Sequence, residues 1–317
     1  MIKPGIDKLR VGVIGIGYLG KFHVEKFSAM ENIDLVGVVD IDISAAKNVA
    51  NTFHTHAFQD YRDLLNRVDA VSIVTPTPSH FAISRDFLAH DVDVMIEKPI
   101  THDIEQAEEL IHIAKSRGRI IQVGHLERFN PAFVSANTMI QQPVFIESSR
   151  KSRYQPRGTD VSVTLDLMIH DIDLVLSLAA SDIADIKAAG MTLVSEHLDV
   201  ANVRIEFTNG CVATITASRI ALINERRMNI YQPDAQISVD FATHEVIILK
   251  KENTSHAGPG PGVETETRSG PGGDALMDEL RSFVQCVKTR ETPVVSGEMG
   301  RDALRVALDI EAKIEKN

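Results

Sequence analysis

The segment Arg10-Val-Gly-Val-Ile-Gly-Ile-Gly-Tyr-Leu-Gly20 decides the fold of this chain. Its apolar first half predicts a buried strand, and the spacing Gly15-x-Gly17-x-x-Gly20 leads into a helical stretch. A second apolar segment, 35–39, comes after this helical stretch and is followed directly by Asp40. A strand, a glycine turn, a helix and a strand with a closing acid form the order expected of a dinucleotide-binding unit.

The glycines and the acid each have a physical task in such a unit. Gly15 permits the tight turn, Gly17 lets the backbone approach a pyrophosphate, and Gly20 lets the helix pack closely on the strand. The helix then presents free N–H groups to the phosphates. Asp40 can accept hydrogen bonds from ribose hydroxyls and would repel a 2′-phosphate, so NAD is predicted over NADP. The alternative is a glycine-rich turn that binds nothing.

Composition limits the class of protein. The chain has 317 residues, with 33 basic and 44 acidic residues and a net charge of −11, which argues against nucleic acid and anionic membranes as partners. The two cysteines, Cys211 and Cys286, predict no disulfide framework. The N-terminal residues do not resemble a signal peptide, and a cytoplasmic protein is expected. The histidines lack a believable ligand spacing, so no metal site is predicted.

Two domains are expected, both in the α/β class. Residues 1–124 alternate strands and helices and predict a Rossmann-type parallel sheet. Residues 125–317 predict an α+β domain with a large, mostly antiparallel sheet, including hairpin turns at Thr208-Asn209-Gly210 and Gln232-Pro233-Asp234. Within it, a helix is expected over 162–179, a long mobile loop over 253–274, and closing helices over 275–289 and 301–316.

Two features could carry chemistry. Lys98 follows a strand that ends at Glu97, and ligands of open parallel sheets bind beyond such strand ends. A lysine there could stabilise a developing alkoxide, although a solvated lysine is the common alternative. In the predominantly apolar helix over 162–179, Asp166, His170 and Asp173 recur at i, i+4 and i+7, where Asp166 could orient His170 as a general base. The alternative is a satisfied core histidine.

Further polar side chains follow the next strand and precede that helix. His125, Arg128 and Asn130 leave a strand end where they could line a cleft. The segment 150–157 concentrates four positive charges, including Arg153 and Arg157, and suits a phosphate or carboxylate on a substrate. A solvated basic loop is the alternative on charge alone.

Taken together, these motifs resemble the glucose–fructose oxidoreductase/inositol dehydrogenase (Gfo/Idh/MocA) family over essentially the full chain. The shared features are the glycine fingerprint with His23, Asp40, the strand end from Thr75-Pro76 to His80, Glu97-Lys98-Pro99, and the Asp166/His170/Asp173 helix. The resemblance implies a catalytic group of Lys98, Asp166 and His170, and homodimers or homotetramers built through the C-terminal sheet. It implies NAD contacts from Gly15, Gly17, Tyr18, Leu19, Gly20, Asp40, Thr75, Pro76, His80, Glu97 and Lys98, and substrate contacts from His125, Arg128, Asn130, Arg153, Arg157 and Asp173.

Within the family, the runs around 125–131 and 166–174 are most similar to UDP-N-acetylglucosamine 3-dehydrogenases. That similarity implies oxidation at C3 of a UDP-linked N-acetylhexosamine, with Arg153 and Arg157 near the pyrophosphate. Two alternatives stay open: a dehydrogenase of free sugars or polyols of the inositol type, and a non-catalytic NAD-sensing regulator. An intact set of Lys98, Asp166 and His170 argues against the regulator.

Overall fold

The computed structural model describes residues 8–155, 161–251, 263–269 and 272–316. These residues form two compact units. The first contains the described residues through His125 together with Leu276–Arg301, and the second contains Leu126–Ala275 and the chain from Asp302 onward. Each unit has an apolar core of its own.

The first unit is built on a six-stranded parallel sheet in the order β3-β2-β1-β4-β5-β6, which confirms the predicted Rossmann-type sheet. Its strands are β1 (Leu9–Ile14), β2 (Ile33–Val39), β3 (His56–Phe58), β4 (Ala70–Ile73), β5 (Asp93–Glu97) and β6 (Ile121–Gly124). Its helices are α1 (Tyr18–Ser28), α2 (Ile43–Phe53), α3 (His80–Ala89) and α4 (Ile104–Arg117), with α7 (Ala275–Thr289) from the end of the chain.

Helix α4 shows why these boundaries are readable from sequence. Asp103 caps its N-terminus by accepting a hydrogen bond from the Gln106 N–H at 2.8 Å. Gly118 ends it in the left-handed conformation with φ of +61°. Both ends of α4 are therefore set by residues that local sequence signals identify, an N-cap acid and a C-terminal glycine.

The second unit contains an eight-stranded sheet in the order β14-β13-β12-β11-β7-β10-β9-β8. All neighbours are antiparallel except β7 and β10, which confirms a mostly antiparallel sheet. The strands are β7 (Phe145–Lys151), β8 (Ile183–Met191), β9 (Val200–Phe207), β10 (Val212–Ser218), β11 (Glu225–Gln232), β12 (Ala235–Asp240), β13 (Glu245–Lys251) and β14 (Val263–Ser269). Both predicted hairpin turns join successive strands, and Gly210 has φ of +89°.

Three helices belong wholly or partly to the second unit: α5 (Pro131–Asn137), α6 (Ile169–Ala179) and α8 (Gly297–Glu315). Their buried side chains share one apolar cluster with the inward-facing residues of the sheet. Along β9 and β10 buried residues alternate with more exposed ones, as expected where a sheet buries one face. In the described part of the chain, no helix combines the length and apolarity needed to cross a membrane.

The structure corrects three predictions about this half of the chain. Part of the expected loop over 253–274 is a strand, because Val263–Ser269 pairs with β13 along its whole length; residues 252–262 and 270–271 lie outside the described residues. The last helix begins at Gly297, four residues before the predicted start at 301. Residues 276–301 belong to the first unit, because Leu280 and Phe283 of α7 are buried in the same core as α1.

Candidate active site

The glycine turn between β1 and α1 is tightly packed. Gly15 has φ of +90°, and a Cβ there would lie 2.6 Å from the carbonyl oxygen of Val74. A Cβ on Gly20 would collide with the carbonyl oxygen of Gly15. Gly17 differs, since a Cβ there would meet no atom within 4 Å. The turn is closed where the strand and helix meet and open at Gly17, as a pyrophosphate cradle requires.

Asp40 is fixed at the end of β2, across from this turn. One carboxylate oxygen accepts a hydrogen bond from the Ile16 N–H at 2.8 Å, and the other accepts one from the Asp42 N–H at 2.9 Å. Each oxygen retains a second lone pair for a ribose hydroxyl. The carboxylate is therefore oriented before any nucleotide binds.

A cleft of about 730 Å³ lies at this edge of the sheet. It is of a size that suits a dinucleotide or part of one. It is lined by Ile14, Gly15, Gly17, Val39, Asp40, Ile41, Gln59, Tyr61, Arg62, Val74, Thr75, Pro76, Pro78, Ser79, Ala82 and Ile83. Five of the predicted cofactor residues are thus brought together there: Gly15, Gly17, Asp40, Thr75 and Pro76. Tyr18 and Leu19 occupy the first turn of α1 with largely exposed side chains.

Among the lining residues that sequence reasoning missed are Gln59, Tyr61 and Arg62. The Arg62 guanidinium lies 4.7 Å from the centre of the Tyr61 ring, and both side chains line the cleft together with Asp40. Burial, and then the hydrogen bond that Tyr61 donates to Asp86 at 2.7 Å, raise the pKa of Tyr61 to about 12. These residues follow a three-residue strand, which leaves too short a pattern to detect.

The cofactor contact predicted for His80 stays a prediction, and the side chain has contacts of its own within the first unit. Its ring is buried, with Nδ1 2.9 Å from the carbonyl oxygen of Pro99 and Nε2 2.8 Å from that of Thr75. Burial lowers the pKa of His80 and so favours the neutral ring. The neutral ring carries one N–H, so His80 donates a hydrogen bond to one of these two backbone carbonyls and packs against the other.

Lys98 lies half-buried just after β5, and the Lys98–Pro99 peptide is cis. The cofactor contact predicted for Glu97 stays a prediction, and its carboxylate faces His23 and the Lys98 backbone. Its oxygens lie 3.3 Å from Nε2 of His23 and 3.3 Å from the backbone nitrogen of Lys98. The carboxylate rests on Gly124, where a Cβ would lie 2.9 Å from Oε2. Glu97 therefore helps to hold the backbone of Lys98 in place, because its carboxylate accepts a hydrogen bond from the Lys98 N–H.

Asp166 and His170 lie in the second unit, and both are half-buried. The chain there is not the regular helix that was predicted over 162–179. Thr164–Met168 forms a π-helical turn that runs directly into α6. Such turns are frequent at functional sites because the wider turn redirects side chains. Asp166 lies within the turn and His170 in the first turn of α6.

Asp173, the third member of the predicted polar row, has a different environment. It is buried, with a side chain 2% exposed, and pairs with Arg128 through contacts of 2.6 and 3.1 Å. This bidentate pair joins two residues that were each predicted to contact substrate. Both charges are thus already matched within the second unit, and their substrate contacts stay predictions.

Asn130 and Arg150 are also used by the fold. The Asn130 amide donates to Glu127 and to the Phe241 carbonyl, and its oxygen caps α5 by accepting from the Ala132 N–H. Arg150, from the basic segment, is buried and binds Glu127 at 2.7 Å and Asp171 at 2.8 Å. The positive charge of Arg150 is therefore neutralised internally and is not free for a substrate.

The remaining predicted substrate residues differ in exposure. His125 is buried. Arg153 is exposed, and its Nε donates to the Leu222 carbonyl at 2.9 Å. Arg157 lies outside the described residues. Across the described residues, no three His, Cys, Asp or Glu side chains are grouped so that they could hold a metal ion.

The sequence and the fold were compared with protein families, curated proteins and solved structures. Residues 9–125 match a family described as oxidoreductases with an NAD-binding Rossmann fold, and residues 131–238 match the GFO/IDH/MocA C-terminal domain. The UDP-N-acetylglucosamine 3-dehydrogenase of Acidithiobacillus ferrooxidans is 36% identical over 97% of both chains. Its crystal structure superposes with a TM-score of 0.92 over 98% of both chains. The myo-inositol 2-dehydrogenase of Thermotoga maritima is 24% identical over 97% of both chains.

The cleft with its glycine cradle and oriented acid fits NAD, and the matches extend over nearly the whole chain. The protein is an NAD-dependent oxidoreductase that belongs to the Gfo/Idh/MocA family.

Proposed function

We propose that this oxidoreductase oxidises the 3-hydroxyl of a UDP-linked N-acetylhexosamine. The observation that carries the proposal is the 36% identity, over 97% of the chain, to a UDP-N-acetylglucosamine 3-dehydrogenase. The chemistry-bearing residues of the sequence agree with it: a lysine at a strand end of the nucleotide-binding unit, and an Asp–His pair on a helix of the other unit.

In the proposed reaction, His170 takes the proton of the sugar hydroxyl as general base. Asp166 fixes the tautomer of His170 and stabilises its charged form. The ammonium of Lys98 stabilises the alkoxide that develops on the same oxygen. Bound NAD⁺ supplies the hydride acceptor, so the carbon is oxidised to a ketone while the proton remains on His170.

The first test replaces the proposed alkoxide stabiliser. Lys98→Met should lower kcat by at least about 100-fold, because one positioned charge or proton-transfer group contributes at least that much, and it should leave the Kd for NAD nearly unchanged. Lys47→Met, on the exposed surface of α2, is the matched control. Full turnover in Lys98→Met would disprove the mechanism.

A polyol dehydrogenase is the second candidate, since the chain is also similar to a myo-inositol 2-dehydrogenase over its full length. Thermal shift and NADH absorbance with UDP-N-acetylglucosamine, UDP-N-acetylgalactosamine and myo-inositol separate the two. Arg153 provides a second readout: Arg153→Ala should raise KM for a UDP-sugar, because the exposed guanidinium suits a diphosphate. It should leave KM for a free polyol unchanged.

We also propose that the enzyme works in the cytoplasm as a homodimer or homotetramer built through the second-unit sheet. The buried free thiols of Cys211 and Cys286 fit a reducing compartment. The alternating burial of β9 and β10 leaves one face of the sheet without a core of its own. Light scattering coupled to size exclusion measures the oligomeric state, and a monomer at micromolar concentration would exclude the assembly.

A further inference from the structure

A cluster of polar side chains lies inside the apolar core of the first unit, behind Lys98. In the sheet, Ser72 of β4 is in register with Met95 of β5, and Met95 with Gln122 of β6. Side chains in register on adjacent parallel strands lie on the same face of the sheet. Glu97, two residues after Met95 on β5, also lies on that face. Helices α1 and α7 add His23 and Glu279. We call His23, Ser72, Glu97, Gln122 and Glu279 the polar cluster.

Glu279 is the unusual member of the polar cluster. It is 0% exposed and lies on α7 beside Leu280 and Phe283, which are equally buried. Within the described part of the chain, neither of its carboxyl oxygens has a hydrogen-bond partner. Its backbone carbonyl accepts from the Gln122 side chain at 3.0 Å, which holds α7 against β6. An ionised carboxylate without a single donor is very unfavourable in such a place, whereas a neutral acid is tolerated.

Glu97 has the opposite environment. His23 approaches its carboxylate at 3.3 Å, the Lys98 backbone N–H donates to it, and Ser72 holds the other ring nitrogen of His23 at 2.9 Å. Burial opposes ionisation, but the hydrogen bond and charge of His23, with the charge of Lys98, outweigh it and lower the pKa of Glu97. Burial, and next the negative charge of Glu97, raise the pKa of Glu279 well above 4.5.

Two carboxyl groups in one core therefore divide their roles by environment. Like charges in a low-dielectric interior disfavour each other, so the group without donors keeps the proton. We propose that Glu279 is a positioning residue that remains a neutral acid, so that Glu97 keeps its negative charge against His23 and holds the backbone of Lys98. The importance of Lys98 to turnover rests on the proposed function; the protonation of Glu279 does not.

The test compares wild type with Glu279→Gln, whose amide has the shape of the neutral acid. In wild type the Glu279 carboxyl keeps its proton in the folded state, whereas in the unfolded chain it releases the proton above its ordinary pKa of 4.5. The free energy of unfolding therefore falls as pH rises and becomes constant above the pKa of the folded state. Urea unfolding between about pH 5 and about pH 8 gives the folding equilibrium constant of each protein. The ratio of this constant in Glu279→Gln to that in wild type should rise by up to about tenfold per pH unit. Asp278→Asn, the same change on an exposed neighbour, should track wild type.

A second measurement keeps the proposal testable if Glu279→Gln fails to fold. Infrared spectroscopy of wild type at neutral pH should show the carbonyl band of one buried carboxylic acid, which Asp278→Asn retains. Parallel pH dependences in wild type and Glu279→Gln, or the absence of the carboxylic-acid band, would overturn the proposal. The infrared and unfolding results hold whether or not any UDP-sugar is turned over.

The positioning role has its own readout. Glu97→Gln removes the needed charge and should lower kcat at least about tenfold with little change in KM. Glu279→Gln reproduces the neutral form and should lower kcat by less than about twofold. Equal losses in the two variants would contradict a division of roles. If no substrate is turned over, the proposed function fails while the unfolding experiment still judges Glu279.

Discussion

Replacing Arg150 tests whether the basic segment serves the substrate or the fold. Its guanidinium contacts Asp171 at 2.8 and 3.1 Å and Glu127 at 2.7 Å, with side chains 2–11% exposed. Arg150→Met removes the cation and leaves two buried carboxylates without it. Breaking a buried pair from one side costs about 3–5 kcal/mol. At roughly 2–4 °C per kcal/mol, Tm should fall by about 6–20 °C.

The assay is urea unfolding followed by circular dichroism, together with KM for the UDP-sugar. Arg204→Met is the matched control, because its partner Glu206 is exposed and surface pairs contribute about 0–1 kcal/mol. Adding Glu127→Gln and Asp171→Asn to Arg150→Met should recover part of the loss, since the uncompensated charges disappear. A loss of stability below about 1 kcal/mol, with a raised KM, would refute the structural role and restore a substrate role.

Two further predictions concern the glycine turn and an acidic loop. Gly20→Ala places a Cβ against the Gly15 carbonyl, and urea unfolding should show a loss of about 1–3 kcal/mol in the free energy of unfolding. In Gly17→Ala the new Cβ meets no protein atom within 4 Å, so Tm should stay unchanged. Isothermal titration calorimetry should show that Gly17→Ala binds NAD more weakly. Burial raises the pKa of Asp199, but backbone N–H groups of 193–195 and the Ser195 hydroxyl outweigh it and hold that pKa well below 3.8. This stabilisation is fully present above pH 3.8 and is lost on acidification. The free energy of unfolding of wild type should therefore exceed that of Asp199→Asn most at neutral pH. A difference that stays constant down to about pH 2 would contradict this prediction.

The sequence was most informative where local signals agree. The glycine spacing, Asp40, and a helix capped by Asp103 and Gly118 are each decided by residues within one element or its ends. The hairpin at Thr208-Asn209-Gly210 is decided in the same way. These signals were sufficient to predict the class of each sheet and the position of both hairpin turns.

Long-range pairing was beyond such signals. Nothing local indicates that Arg128 is neutralised by Asp173, 45 residues away, or that Arg150 is buried. The π-helical turn at Thr164–Met168 changes the direction of Asp166 without any change in apolar periodicity. Strand β14 is rich in Glu and Thr and is recognised only through its pairing with β13.

The place of β7 in its sheet has a consequence for how the second unit forms. Strands β8–β10 and β11–β14 form two antiparallel ribbons in which each strand pairs with its neighbour in the chain. β7 lies between β10 and β11, and its pairing of Phe145 with Val212 spans 67 residues (212 − 145). One edge of β7 finds its partner only after β10 has been synthesised and the other only after β11, so both pairings have high contact order and form late. Until then both edges of β7 are unpaired and are exposed to pairing with other chains.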